Sequence, residues 1–193
     1  LSPAHVVIGE DFRFGQLRKG STKTISDAGI PVTTFSPVGR HEIPKYSSTD
    51  IRNYIDSGEI KSANDILGWE WEIGGVIVRG DRRGHELGFP TANVSMGETL
   101  HPAYGVYATW VQIEGESEWR MAATNIGIRP MFEVAQGQIE AHILNFADRD
   151  IYGRYLRVRP VTRLRGEAKF ASIDDLVTQM AKDCEQAKMV LSV

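Results

Sequence analysis

From Trp69 onward the chain alternates short apolar runs with turn residues and carries no helix-periodic stretch until its last two dozen residues. The runs cover about Trp71 to Arg79, Val106 to Ile113, Trp119 to Ala123, Gln138 to Phe146 and Tyr155 to Leu164. Pairs such as Glu114-Gly115 and Tyr152-Gly153 separate them. Five or six short strands without helices between them predict a small antiparallel Greek-key β-barrel. A final helix follows. Ser172 caps it, with Asp175 three residues on. Ile173, Leu176, Val177, Met180, Cys184, Ala187 and Leu191 then recur at three- and four-residue steps. That single apolar stripe should pack on the outside of the barrel. Cys184 lies on the stripe and reads as a small core residue.

Upstream of Trp69 the texture differs. His5 to Ile8 is a short apolar run that ends in Gly9-Glu10-Asp11-Phe12-Arg13-Phe14-Gly15. It reads as a buried parallel strand delivering its C-terminal end to a site, or as a plain strand and turn. Ile30 to Phe35 is a second strand. Ser47-Ser48-Thr49-Asp50-Ile51-Arg52 opens a helix with hydroxyls at its N-terminus and an arginine one turn in. Such an end binds phosphate, though simple capping accounts for the same pattern. Gly58 stops this helix, and Ile60 to Leu67 forms another. The overall class is α+β, with a division expected between residues 67 and 68.

Composition narrows the function classes. The 193 residues suffice for one domain or one and a half, and 41% apolar content supports a packed core. A net charge of −3 argues against a general nucleic-acid binder. One cysteine excludes an internal disulfide and suits a reducing compartment, so a cytoplasmic location is expected. No apolar run approaches the roughly 18 residues of a membrane span. The chain starts at Leu1 and is expected to begin inside a longer gene product.

The chemistry concentrates in Arg79-Gly80-Asp81-Arg82-Arg83-Gly84-His85-Glu86-Leu87-Gly88-Phe89-Pro90-Thr91-Ala92-Asn93. Glycine lets backbone approach a ligand closely. Arginine matches phosphate geometry. The Thr91 hydroxyl and Asn93 amide oxygen can both reach one hard cation. Taken alone, Pro90 to Asn93 more often reads as a plain turn. Some fifty residues later, strand alternation puts Glu140, His142, Leu144 and Phe146 on one face and Ile139, Ala141 and Ile143 on the other. The aliphatic face should point inward.

Gly84-His85-Glu86-Leu87-Gly88-Phe89-Pro90-Thr91-Ala92-Asn93 resembles the riboflavin kinase signature. Asn125-Ile126-Gly127-Ile128-Arg129-Pro130 resembles that family's second loop. Glu140-Ala141-His142-Ile143-Leu144-Asn145-Phe146, then Tyr152-Gly153, resembles the strand and turn that follow, and Lys169-Phe170-Ala171-Ser172 fits the approach to the last helix. Upstream, Gly9 to Gly15 and Ser47 to Arg52 resemble the second half of an FMN adenylyltransferase domain, a Rossmann-like nucleotidyltransferase. The whole chain is similar to the C-terminal two-thirds of bacterial bifunctional riboflavin kinase/FAD synthetases.

The resemblance implies transfer of the ATP γ-phosphoryl group to the terminal ribityl hydroxyl of riboflavin, giving FMN. It assigns Gly80, Arg83, Gly84, His85, Gly88, Pro90, Thr91 and Asn93 to the ATP phosphates, with Thr91 and Asn93 also holding Mg²⁺ or another divalent ion. Glu140 becomes the catalytic carboxylate. Arg129 and Phe170 fall near the flavin, and Asp11, Ser48, Thr49 and Arg52 are an adenylyltransferase remnant. The His-x-Gly-His motif of such adenylyltransferases does not occur in this chain. FAD formation is therefore expected of a longer protein, while the kinase half is expected to be complete. Partners are small-molecule substrates, with no nucleic acid and no membrane. The competing class is a barrel that binds flavin or nucleic acid without catalysis. The net charge and the Thr91, Asn93 and Glu140 set weigh against it.

Overall fold

A computed structural model describes residues 2–39, 46–80, 83–131, 134–147 and 149–192, with backbone alone at 83, 129–131 and 134–136. The chain forms two compact units that divide after Ser48.

In the first unit, β1 (Val6–Gly9) leads to β2 (Arg13–Phe14) and β3 (Gly20–Ser21), which pair as a small antiparallel ribbon. Helix α1 (Thr22–Asp27) follows, capped where the Ser21 N–H donates to Thr24 Oγ1 at 3.1 Å. Strand β4 (Val32–Phe35) lies parallel to β1, with Val6 opposite Val32 and Gly9 opposite Phe35. The parallel pairing matches the sequence reading, but the expected burial does not hold. Val7 is 61% and Phe35 60% exposed. Two strands and one short helix do not cover both faces of a sheet.

The second unit opens with α2 (Ser48–Ser57) and α3 (Ile60–Leu67). Both pack on the barrel. The Ala103 N–H donates to the Ile55 carbonyl at 3.2 Å, and Ile60 joins the barrel core. By packing, these helices belong with the strands that follow, so the compact unit starts ahead of the 67/68 division read from sequence texture.

The barrel strands are β5 (Ile73–Val78), β6 (Ala92–Ser95), β7 (Gly105–Ile113), β8 (Arg120–Met131), β9 (Val134–Ile143) and β10 (Tyr155–Arg165), with the one-turn α4 (Arg83–Glu86) between β5 and β6. They close in the order β10-β5-β6-β9-β8-β7, antiparallel at each junction. Strands β7, β8 and β9 form a meander and β6 returns beside β9, which is the Greek-key order. Every second residue points inward. Ile77, Val94, Tyr107, Val111, Ile126, Ile139, Ala141, Leu156 and Val158 fill the interior. Thr109 and Thr124 are polar and buried there, and their hydroxyls satisfy each other at 2.6 Å. Register shifts in the β10–β7 ladder flank Thr162, two residues past the buried Pro160, which cannot donate to it.

Helix α5 (Ile173–Leu191) lies outside over β7, β8 and β10. The Asp175 N–H donates to the Ser172 hydroxyl at 3.1 Å, as the capping pattern requires. Ala108, Ala123 and Ala187 let helix and sheet approach closely, with Leu191 beside them. Ile173 departs from the expected stripe. It sits in the first turn and is exposed. Two further segments differ from the sequence reading. Ala92 to Ser95 is a strand rather than part of a loop, and Asn125 to Pro130 runs along β8.

Replacing Ile139 with alanine opens a hole inside the barrel and should cost about 2–5 kcal/mol in denaturant unfolding, against less than about 1 kcal/mol for the exposed Ile128→Ala. Outside the barrel, Arg157 grips Glu72 through Nε at 3.0 Å and Nη2 at 2.8 Å, and Arg159 adds Nε at 3.1 Å. The Arg157 hydrogen bonds, reinforced by Arg159 and opposed by burial, hold the Glu72 carboxyl below its ordinary range. The stability this contributes is present above the unfolded value, near 4.3, and is lost as pH falls through the lower folded value. Glu72→Gln should therefore lower stability at pH 7 but narrow its gap to wild type below about pH 4, measured by urea unfolding at each pH.

Candidate active site

Strand β9 runs between β6 and β8, and this placement builds the site. Asn93 on β6 and Asn125 on β8 each stand directly opposite Glu140. The three side chains form a row across the outer barrel face, because Ile139, Ala141 and Ile143 occupy the interior. The inward and outward assignment read from the sequence of β9 thus agrees with the packing.

Two clefts adjoin this row, the first on the outer face and the second reaching the interior residues Ile77, Ala92, Ala141 and Ile143. The first, about 510 Å³, is lined by Glu140 and Asn125 from the strands, Phe89 from the turn before β6, Phe170 from the approach to α5, and Leu176 and Met180 from α5. The second, about 560 Å³, is lined by Gly80, His85, Gly88 and Pro90 on one side and Phe146, Arg149 and Tyr152 on the other. Thr91, Asn93 and His142 border both clefts and form the wall between them. Both volumes suit small-molecule ligands.

The turn residues before β6 hold this wall in place for distinct reasons. A Cβ on Gly80 would sit 2.6 Å from Asn93 Cγ, so only glycine lets the Asn93 amide lie over that backbone. Gly88 adopts a positive φ of 85°. The Phe89 N–H donates to the Gly84 carbonyl at 2.7 Å and closes the turn. His142 Nδ1 donates to the Pro90 carbonyl at 2.8 Å, and its ring meets Phe89 edge-on at 5.4 Å. Packing is therefore its structural role.

Asn93 is only 8% exposed. Its Nδ2 donates to the Thr91 carbonyl at 3.0 Å and lies 3.4 Å from Thr91 Oγ1, while Gln138 Nε2 donates to its Oδ1 at 3.0 Å. Thr91 and Asn93 carry a hydroxyl, an amide and a main-chain carbonyl, hard neutral oxygens of the kind that fit Mg²⁺ shared with phosphate, although the NH₂ end of Asn93 faces the Thr91 oxygens. Among the described residues no cluster of three His, Cys, Asp or Glu side chains offers an all-protein cage.

Of the other expected site residues, Gly84 faces the first cleft and Phe170 lines it. The side chains of Arg83 and Arg129 lie outside the described residues, as does Arg82. Asp11 belongs to the first unit and follows β1, whereas Ser48, Thr49 and Arg52 lie in the first two turns of α2.

Several residues were missed by the sequence reading. Asp183 is 4% exposed on the buried side of α5, where Arg165 clasps it at 2.7–3.1 Å and Gln179 donates at 2.8 Å. The Arg165 guanidinium also lies 5.7 Å from the Phe170 ring, so this pair braces the end of the first cleft. A carboxylate on an apolar stripe was the available signal, since a buried charge requires a partner. Across the molecule, Glu116 accepts from Arg149 at 2.7 and 2.8 Å and pairs with Arg154 at 2.9 Å. Arg149 and Arg120 flank Phe146 at 4.9 and 5.5 Å, which fixes the outer wall of the second cleft.

A closed antiparallel six-strand barrel with an outer helix and two adjoining clefts defines the class of this domain. The chain matches the flavokinase family, riboflavin kinase, over residues 67–191, and belongs to that family. It is 34% identical over 193 residues to the bifunctional riboflavin kinase/FMN adenylyltransferase of Bacillus subtilis (strain 168), covering 97% of this chain and 60% of that protein. The protein of the same description from Escherichia coli (strain K12) is 36% identical, with 92% of this chain and 57% of that protein covered. The chain thus spans about three-fifths of these relatives. A solved structure from Streptococcus pneumoniae, described as a macrolide-efflux protein, superposes with a TM-score of 0.76 at 33% identity, covering 94% of this chain and 60% of that one. Among the described residues of the present chain, no helix is long and apolar enough to cross a membrane.

Cys184 lines the first cleft. Burial, aided by the neighbouring Asp183 and Glu185 carboxylates, pushes its thiol up to about 11. Its alkylation rate should climb about tenfold per pH unit from pH 7 to 10 without levelling. A plateau near pH 8.5 in a stopped-flow thiol titration would contradict this environment.

Proposed function

We propose that this chain is a riboflavin kinase, transferring the γ-phosphoryl group of ATP to the terminal ribityl hydroxyl of riboflavin to give FMN. The observation that carries the reading is the wall of Thr91, Asn93 and His142 between two clefts, with Glu140 beside it on the first. A two-substrate transfer needs two sites that meet where the bond changes hands.

The second cleft takes ATP. Gly80 and Gly88 bring main chain close to the phosphates, and His85 and Pro90 flank them. Arg83 is assigned to the same phosphates, whereas Gly84, which the resemblance also gives to them, faces the first cleft. The first cleft takes riboflavin, with Phe89, Phe170 and Met180 as its apolar walls. Thr91 and Asn93 would hold Mg²⁺, which when bound neutralises charge on the phosphate oxygens. Glu140 orients the ribityl hydroxyl and accepts its proton late in a loose transition state. The bond from the hydroxyl oxygen to the γ-phosphorus forms as the bond to the bridging oxygen breaks, and ADP leaves. Carboxylates are weak bases for alcohols, so most of the acceleration comes from alignment and charge neutralisation.

The names of the relatives support a second statement about the longer protein. We infer that it also adenylylates FMN to FAD, with residues 1–67 belonging to that half and Asp11, Ser48, Thr49 and Arg52 among its nucleotide contacts. Its substrates are then small molecules of the cytoplasm, and neither nucleic acid nor membrane enters the reaction.

Incubating the purified chain with riboflavin and Mg-ATP and resolving the flavins tests the assignment. FMN alone is expected. FAD as well would place adenylyl transfer in this chain, and bound flavin without product would favour the non-catalytic barrel. Glu140→Ala should lower kcat on the order of 10²-fold or more while leaving thermal unfolding nearly unchanged. Near-normal turnover would remove Glu140 from this role.

A further inference from the structure

The Asn93 amide is turned the wrong way for a cation. Its NH₂ end faces the Thr91 carbonyl and hydroxyl oxygens, and its oxygen accepts from Gln138. In this state the electropositive NH₂ group occupies the place where a positive charge would sit. Gly80 lies so close beneath Asn93 Cγ that the side chain has little room to swing. A half-turn about its last torsion exchanges oxygen and nitrogen with almost no change of shape. That rotation would set Asn93 Oδ1 against the two Thr91 oxygens, an arrangement that repels unless a cation lies among them. It would also turn Asn93 Nδ2 toward Gln138, which must then present its own oxygen.

We propose that Gln138 is a positioning residue that allows this reversal, so that cation binding is coupled to a concerted turn of the Asn93 and Gln138 amides. The proposal rests on the assignment of Thr91 and Asn93 as cation ligands. Gln138 suits the task because an amide both donates and accepts. It keeps a hydrogen bond to Asn93 in either state, and β9 places it two residues from Glu140 on the same face. A glutamate at 138 can only accept, which presets Asn93 Oδ1 toward Thr91. A lysine can only donate, which holds that oxygen away.

The test measures Mn²⁺ affinity in the presence of ADP by electron paramagnetic resonance, without riboflavin and without turnover. Gln138→Lys should weaken Mn²⁺ binding by roughly tenfold or more, and Gln138→Glu should tighten it. Ser95, exposed and directly opposite Gln138 in the β6–β9 ladder, supplies the charge controls. Ser95→Lys and Ser95→Glu should shift affinity by clearly less than their counterparts at 138. Independently, the Asn93 side-chain NH₂ resonances should move on cation binding in the wild type, and should start near their cation-bound positions in Gln138→Glu. Equal losses in Gln138→Lys and Gln138→Glu, or changes matched by the Ser95 variants, would overturn the inference while leaving the kinase assignment standing. Failure of the wild-type chain to bind Mn²⁺ with ADP would overturn the cation-ligand assignment, and this inference with it.

Discussion

The period-two alternation of β9 ties the active site to the core. Ile139, Ala141 and Ile143 fill the barrel, and the same backbone turns Gln138, Glu140 and His142 outward. A slip of one residue would put Glu140 among aliphatic side chains and Ile139 in the cleft. Few aligned pairings are then compatible with a dry interior. The row Asn93–Glu140–Asn125 is thus held by hydrophobic burial rather than by contacts among its own members. Among the described residues no side chain is hydrogen-bonded to the Glu140 carboxylate, so its placement comes from the strand alone.

The barrel supplies one rigid side of each cleft, and separate devices supply the others. The turn from Gly84 to Pro90 leads into β6, and His142 pins it through the Pro90 carbonyl. Helix α5 closes the first cleft, anchored by the Asp183–Arg165 clasp at one point and by alanine contacts further along. Taken alone, a buried ion pair is weak evidence for stability. Its evident consequence here is orientation, since Arg165 touches both the helix and the Phe170 ring. On the second cleft, the Glu116 carboxylate does the corresponding work through Arg149 and Phe146.

The sequence was informative wherever one physical period dominated. The β9 face and the limits and cap of α5 could be read from spacing, because burial alone sets both patterns. Four-residue β6 was not legible, since Ala-Asn-Val-Ser is too short and too polar to show a period. Its strand character comes from pairing with β9, a long-range cause. Asn125 to Pro130 misleads similarly, because glycine and proline normally signal turns, yet barrel closure carries β8 through them. Ile173 fits the helical spacing but falls in the first turn, where there is no barrel surface for it to cover. The motifs around Thr91, Asn93 and Glu140 owed their meaning to family resemblance. Spacing alone does not disclose that residues nearly fifty positions apart share a row.

The wall between the clefts also constrains what kind of reaction this face can support. Each residue common to both clefts is held from behind: Thr91 by the Asn93 amide, Asn93 by Gln138 and Gly80, and His142 by Pro90 and Phe89. A wall so braced keeps its shape even if the Asn93 amide turns about its last torsion, because that turn only exchanges oxygen and nitrogen. In the proposed phosphoryl transfer, where a protein contributes mainly alignment, such a partition would serve to align the two substrates. The bracing behind Thr91, Asn93 and His142 therefore favours a transfer enzyme over a passive barrel, independently of the family to which the chain belongs.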